Sequence, residues 1–306
     1  MQQKYIFTFA FLYVFGVAIG QQIPNSTHIT ETRAYWNPAL IAPNNDIVFD
    51  ALFRMQWIGF NGAPMSGFIS YQNPLKKTNT SIGGGLNFDK TGPVSKVGLQ
   101  LNYAYKLKQL ANRYDQFSMG LSAHIQQYSF NGSNEIFNDD DDPLILNNRS
   151  GSFFPSFGGG FYYISDNRMF KKNAFFAGAA IQQGLTTKVL INDFDQQRVR
   201  HYNFNLGARL VRYETYLEPM VTVNMVSPQL VDVLYSLKLE QENTFWSGIG
   251  YSSASMVALQ GGVIVNDFGQ NNARLRIGAL ATYGLGSTIS TIGPSFELYI
   301  GYFLKN

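Results

Sequence analysis

The residues able to do acid–base or nucleophilic chemistry are few in this sequence, and the histidines come first. There are three, at His28, His124 and His201. A hydrolase would need one of them beside a nucleophilic serine and an orienting third group, but no nucleophile elbow accompanies His124. The histidines also lack the His-x-x-x-His or carboxylate spacing of a zinc site. We therefore predict that the chain is not an enzyme and carries no cofactor.

An acidic run, Asn-Asp-Asp-Asp-Asp-Pro at residues 138–143, is the strongest candidate for a metal site. Hard cations such as calcium take several carboxylate oxygens, but this run lacks the glycine and the distant glutamate of an EF-hand loop. A solvated loop is the simpler interpretation. Loosely bound calcium, or cations that bridge lipopolysaccharide, are the alternative.

These side chains lie in a chain whose apolar residues alternate with polar ones. Across residues 96–105, Val97, Leu99, Leu101, Tyr103 and Tyr105 share one face, with polar residues, glycine and alanine on the other. A period of two predicts β-strands with one apolar face. Each segment approaches the ~9 to 11 residues that a tilted strand needs to cross a bilayer. We predict about 14 strands, at residues 47–57, 64–73, 80–89, 95–107, 115–130, 154–165, 173–184, 200–213, 215–226, 231–240, 243–253, 255–266, 272–285 and 294–304.

The composition restricts the class of protein further. Charged residues make up 14% and aromatic residues 15%, with no cysteine, where a soluble domain has about 25% charged residues. A net charge of +3 with scattered basic residues excludes an extended nucleic-acid surface, so no nucleic-acid partner is expected. An apolar run at residues 5–20 follows Lys4 and predicts a Sec-type signal peptide.

Alternating strands, scarce charge and export together predict an all-β protein, a transmembrane antiparallel up-and-down β-barrel of the outer membrane, in contact with its lipid. A secreted β-sandwich or propeller would also alternate, but its outward face would carry more charge. The expected domains are a signal peptide at residues 1–20, an N-terminal periplasmic segment at 21–46 and the barrel at 47–306.

The polar strand faces would then line a lumen. We expect a network of paired groups there, because charges in a narrow barrel need partners; a selectivity lining for anionic solutes is the alternative. The candidates are Arg54, Gln56, Arg209, Arg274, Arg276 and Glu297. Glycines on the same faces leave room that water, a loop or the N-terminal segment could fill: Gly83, Gly85, Gly98, Gly120 and Gly158.

A series of motifs then resembles a known family. The order is YWNPALIAPNN at 35–45, RMQWIGFNGAP at 54–64, IGGGLNFDKTGP at 82–93 and LNYAYKL at 101–107. This series is similar to the PorP/SprF family of type IX secretion system membrane proteins of Bacteroidetes. The resemblance implies a non-enzymatic component of the type IX secretion and gliding machinery. Its implied partners are other secretion or gliding components and a large secreted or surface adhesin, whose export or attachment it supports. An outer-membrane porin or hydrophobic-solute channel remains the alternative.

The aromatic corner at residues 54–64 has two interpretations. It is either a rigid hairpin, with Arg54 tied inside the barrel and glycine and proline setting the backbone angles, or a docking surface whose aromatic side chains anchor a partner. The docking candidates are Trp57, Phe60, Asn61 and Pro64, with Trp36 and Pro38 contributed by the preceding segment.

Overall fold

The computed structural model describes residues 31–75, 77–131, 150–184, 188–191, 194–197, 199–227, 230–269, 273–285 and 293–305. The predicted signal peptide, His28 and the acidic run at 138–143 lie outside these residues. No helix among the described residues is long and apolar enough to cross a membrane.

Sixteen strands follow two short helical turns in the described part of the chain. The turns are α1 (Arg33–Trp36) and a 3-10 turn (Pro38–Leu40). The strands are β1 (Asp46–Met55), β2 (Met65–Pro74), β3 (Thr80–Thr91), β4 (Val94–Lys108), β5 (Gln116–Phe130), β6 (Ser150–Ile164), β7 (Ala174–Gln182), β8 (Lys188–Ile191), β9 (Phe194–Gln197), β10 (His201–Arg212), β11 (Thr215–Ser227), β12 (Leu230–Gln241), β13 (Phe245–Ser252), β14 (Met256–Val265), β15 (Arg274–Gly284) and β16 (Ser295–Lys305).

Fourteen of these strands close into one antiparallel barrel, and β8 pairs only with β9 as a separate hairpin. Neighbours along the chain pair in sequence, except that β7 pairs with β10 across that hairpin. The seam joins β1 to β16, with Asp46 opposite Lys305 and Arg54 opposite Glu297. This closed order confirms the predicted 14-strand barrel. A closed sheet leaves no unpaired strand edge.

The alternation in the sequence separates the outside of the barrel from its lumen. On β4, Leu99, Leu101 and Tyr103 are exposed on the outer surface, while Gln100 and Lys106 are buried inside. Apolar side chains therefore form the outer face, as expected of a barrel surrounded by lipid.

The strand connections differ between the two ends of the barrel. One end, the short-turn rim, carries the start of β1, the end of β16 and the connections at 75–79, 109–115, 165–173, 213–214, 242–244 and 266–273. The other end, the long-loop rim, carries the corner and the strand ends that flank the two longest connections, those between β5 and β6 and between β7 and β10.

Residues 31–45, here called the plug, lie inside the barrel. Trp36, Asn37, Ala39, Leu40 and Ile41 are all buried. The contacts of the plug reach strands on opposite sides of the lumen, from β6 to β15. This position differs from the expectation of a periplasmic segment at 21–46, because the plug's polar and apolar groups find their partners on the inner wall.

Candidate functional site

The plug turns back on itself because of its Asn-Pro-Ala sequence. Asn37 caps the 3-10 turn, its Oδ1 accepting from the Ala39 N–H at 2.9 Å, and Pro38 occupies the first position of that turn, where its fixed φ suits a helical start. The Asn37 Nδ2 donates to the Phe161 carbonyl on β6 at 3.0 Å. The side chain of Asn37 thus both shapes the plug and ties it to the wall.

Two glycines on the wall make room for this turn. A Cβ at Gly120 would collide with the backbone of Pro38 and Ala39, and a Cβ at Gly160 would collide with Asn37. Gly83 likewise faces the plug at Ile41, so the N-terminal segment fills part of the space that the lumenal glycines leave.

The other three glycines named in the sequence analysis face neighbouring strands. Gly85 lies against Ser70, Gly98 against Asn87, and Gly158 against Ser122.

The tip of the plug packs near the middle of the barrel. The Tyr35 ring stacks on Phe68 with 4.7 Å between centroids, and its hydroxyl accepts from Asn87 Nδ2 at 3.1 Å. Gln182 on β7 donates to the carbonyls of Tyr35 and Trp36 at 2.8 and 3.0 Å. The backbone carbonyls of the plug, which is not part of the sheet, thus accept hydrogen bonds from a wall side chain.

An apolar layer continues from the plug tip across the lumen. Tyr35 packs against a cluster of five buried side chains, Leu52, Phe68, Trp246, Ile264 and Tyr299. The inner face of the barrel is therefore packed at this depth.

Near the short-turn rim, two acidic–basic groups hold the start of the plug. Arg33 pairs with Glu218, which also pairs with Arg209 at 3.1 Å. Glu31 pairs with Lys238, and with Arg276 at 3.1 Å. We call these residues, together with Glu240, the ionic cluster.

Glu240 completes the cluster from β12. Its carboxylate pairs with Lys238 at 2.8 Å and with Arg276 at 2.9 Å, and it accepts from the Tyr216 hydroxyl at 2.7 Å. Burial acts to raise the pKa of Glu31, but Arg276 and Lys238 outweigh it and hold this pKa below its usual value. Glu31 is therefore ionised, and two wall cations neutralise it.

The ionic cluster lines a cavity of about 150 Å³. Its charged lining residues balance in sign: Glu31, Asp46, Asp50, Glu218 and Glu240 are acidic, and Arg33, Arg209, Lys238, Arg274 and Arg276 are basic. A lining without excess positive charge does not favour anions, so this geometry suits a paired network better than an anion filter.

The predicted lumenal residues lie in four separate places. Arg209 and Arg276 belong to the ionic cluster, whereas Arg54 pairs with Glu297 across the seam at 3.3 Å. Arg274 pairs with Asp46 near the short-turn rim at 2.6 Å. Gln56 is half-buried, and its N–H closes the corner by donating to the Pro64 carbonyl at 2.9 Å.

The corner is braced by neighbouring connections on the long-loop rim. The Ile58 N–H donates to the Pro294 carbonyl at 3.0 Å, and the Gly92 N–H donates to the Gly62 carbonyl at 3.1 Å. Trp57 has a φ of +53°, which is rare for a bulky residue and costs about 1–3 kcal/mol, so it persists only where the surroundings impose it. This bracing fixes the backbone that carries the corner's aromatic side chains.

Only part of the proposed docking set is accessible. Trp57, Phe60 and Asn61 are exposed, with Phe60 at 61%. Pro64 is buried in the hairpin, and Trp36 and Pro38 are buried in the lumen. The corner and the plug are thus two separate features, because the plug turns into the barrel instead of joining the rim.

Sequence reasoning did not select Glu31, Arg33, Glu218, Lys238 or Glu240. For Glu218, Lys238 and Glu240 the available signal was the presence of charges within strands that were expected to cross a membrane, as in Lys238-Leu239-Glu240. Such residues are rare, face the interior and mark function or pairing.

Comparison with known proteins adds a family and a fold. The model of the family "Type IX secretion system membrane protein PorP/SprF" matches residues 18–302. No curated protein matches the chain. Among solved structures, the CymD monoaromatic hydrocarbon channel is similar with a TM-score of 0.57 and 11% identity, covering 92% of this chain and 94% of that one. A Pseudomonas aeruginosa FadL homologue has a TM-score of 0.50 and 8% identity, covering 94% and 95%. At such identities these two similarities concern the barrel fold alone.

Proposed function

Because the chain belongs to the type IX secretion system membrane protein family PorP/SprF, we propose that it is a non-enzymatic outer-membrane component of the secretion and gliding machinery. It supports the export or surface attachment of a large secreted, adhesin-like protein by docking rather than by conduction. The observation that carries this proposal is the occupied lumen: the plug, the apolar layer and the ionic cluster lie within the described interior, around a cavity of about 150 Å³.

The lengths of the connections support an orientation in which the corner lies at the cell surface. In outer-membrane barrels the longer loops are extracellular and the short turns periplasmic. By this rule the long-loop rim faces outward, and the exposed Trp57 and Phe60 lie where a secreted partner would arrive. Aromatic anchors of this kind contribute about 2 kcal/mol or more each at interface centres.

The test is affinity capture of the tagged chain from outer membranes in mild detergent, with mass spectrometry of the proteins that accompany it. Trp57→Ala and Phe60→Ala variants are captured in parallel. We expect secretion or gliding components and one large secreted protein with the parent chain. We expect the secreted protein to be depleted about tenfold or more in each variant, which corresponds to about 1.4 kcal/mol.

Tyr213→Ala is the matched control, because Tyr213 is an aromatic side chain 85% exposed on the opposite rim. It should retain every partner. Loss of the secreted protein in the control as well, or its retention in both corner variants, would contradict docking at the corner.

A hydrophobic-solute channel is the second candidate function, because the barrel shares its fold with proteins described as hydrocarbon channels. Capture of the barrel without partners, together with uptake of a monoaromatic hydrocarbon by liposomes that contain it, would favour that function over ours.

A further inference from the structure

A continuous arc of the short-turn rim is basic. This arc is formed by the three connections that join β2 to β3, β4 to β5 and β6 to β7, at residues 75–79, 109–115 and 165–173. We call the described residues of these connections, with Lys108, the platform. Its exposed charged side chains are all basic: Lys77, Lys108, Arg113, Lys171 and Lys172.

The acidic residues of the platform are buried and already paired. Asp115 accepts from the N–H groups of Leu110 and Ala111 at 2.8 and 2.7 Å. Asp166 pairs with Arg168 at 2.6 Å, and this hydrogen bonding lowers the pKa of Asp166. Neither carboxylate is free to neutralise the exposed lysines, so the platform keeps its positive charge at neutral pH.

The platform is also fixed in shape. Asn112 Nδ2 donates to the Ser165 carbonyl at 2.9 Å, and the Asn167 N–H donates to the Tyr114 carbonyl at 3.0 Å, joining two of the connections. The guanidinium of Arg168 lies 3.3 Å from the centroid of the Tyr114 ring, a cation–π contact. The backbone of these two connections is therefore ordered before any partner binds. This order lowers the entropic cost of association.

The rest of the same rim has a different charge. Across 212–214, 242–244, 266–269 and Lys305, the exposed charged residues are Arg212, Glu214, Glu242, Asp267 and Lys305. The lipid leaflet surrounds a barrel on every side, so attraction to anionic lipid would not require the exposed charges to be all basic on one arc and of mixed sign on the other. A one-sided patch fits a discrete partner with a complementary surface.

We propose that the platform docks the acidic face of a periplasmic protein of the same secretion machinery. The inference rests on the proposed function and on the orientation that places the short-turn rim in the periplasm. It adds a second docking surface, distinct from the corner and on the opposite side of the membrane.

The experiment places a photoreactive amino acid at Leu110, which is 57% exposed on the platform, in the full chain in its native membrane. The matched probe is at Phe268, 48% exposed on the other arc. After irradiation, the cross-linked peptides are identified by mass spectrometry. We expect one protein adduct from position 110, joined through an acidic segment, and not from position 268.

Charge reversal makes the test specific. Lys171→Glu with Lys172→Glu should lower the adduct about tenfold or more, since like charges across an interface repel. Changing the acids of the cross-linked segment to lysine should then restore it. Lys305→Glu, on the other arc, should leave the adduct unchanged.

Three results would overturn the proposal: equal adducts from both positions, an adduct that is insensitive to charge reversal, or adducts to lipid alone. Its failure can be told from failure of the proposed function. If position 110 gives no protein adduct while the corner variants still lose the secreted protein, only the platform is wrong. A charge-dependent adduct to a protein outside secretion would instead contradict the proposed function.

Discussion

Removal of the Glu31 charge should release the plug from the barrel. In the docked state the Glu31 carboxylate is neutralised by Lys238 and Arg276, which share one further carboxylate, Glu240. Glu31→Gln keeps the shape of the side chain but leaves Lys238 and Arg276 with only Glu240 between them, so that one buried cation of these two is in excess. Removing one member of a buried ion pair costs roughly 3–5 kcal/mol. At 1.4 kcal/mol per decade, the undocked fraction of the plug rises roughly 10² to 10⁴-fold.

The assay uses the absence of cysteine from the chain. Thr32→Cys introduces a single thiol at a plug position that is 1% exposed, and a bulky maleimide can label it only when the plug leaves its site. The labelling rate then reports the undocked fraction. In the Glu31→Gln background the rate should rise by at least about 100-fold over the single-cysteine parent.

Two further variants separate charge from general damage. Glu242→Gln is the same change at an exposed position and should not alter the rate. Adding Lys238→Gln to Glu31→Gln removes the excess cation, so the double variant should label more slowly than Glu31→Gln alone, showing non-additivity of contacting residues. Equal labelling of the parent and Glu31→Gln would refute the reasoning.

Three further predictions concern the same plug. Gly120→Ala should raise the Thr32→Cys labelling rate, because the new Cβ collides with the backbone of Pro38 and Ala39 and destabilises docking by about 1–3 kcal/mol. Gly159→Ala, whose Cβ makes ordinary contacts from 3.4 Å, is the control. Equal rates in the two variants would contradict the packing. Asn37→Cys with Gly160→Cys should form a disulfide on oxidation, and this bond should abolish the labelling of Thr32→Cys. A Cβ at residue 160 lies 3.0 Å from the Asn37 Cγ, so the two cysteine sulfurs can approach to the ~2 Å of an S–S bond. A pair that stays reduced on non-reducing gels would argue against this geometry. The pKa of Glu31 is lowered from 4.5, so docking is stabilised above that value and weakens as pH falls below it. Because the maleimide reacts with the thiolate, whose fraction itself rises with pH, the rate is divided by that of a single cysteine at an exposed position, Glu242→Cys, at the same pH. This ratio should be flat between about pH 5 and 8 and rise below about pH 4, and a rise near pH 6 would be inconsistent with the ion pairs.

The barrel could be predicted from the sequence because its signal is local. Apolar side chains recur at every second residue of each strand. Val97, Leu99 and Leu101 can therefore be assigned to one face without knowledge of any partner strand. The connections also carry local signals, in their prolines, glycines and asparagines. The closed pairing order then follows because neighbouring strands joined by short turns are antiparallel.

The plug could not be predicted in the same way. Its residues have no repeating period, and its anchors join positions far apart in the chain: Arg33 bonds Glu218 across 185 residues and Glu31 bonds Arg276 across 245. Which inward charges meet depends on register and on the stagger of the strands, which the sequence pattern does not give. Hence inward-facing residues such as Arg209 and Arg276 could be named as candidates, while their partners in the ionic cluster, Glu218, Glu31 and Glu240, could not. Gly120 and the Asn37-Pro38-Ala39 turn show the same limit, since each is explained only by the other.

The central claim is that the chain's own N-terminal segment closes the barrel, so that the protein docks partners instead of conducting solutes. The most direct measurement is ion current through single barrels in planar bilayers, for the parent chain and for a variant without residues 21–45. We expect no sustained current from the parent and a steady ohmic current from the deletion variant. A steady current of similar size from both would show that the lumen is open and would contradict the claim.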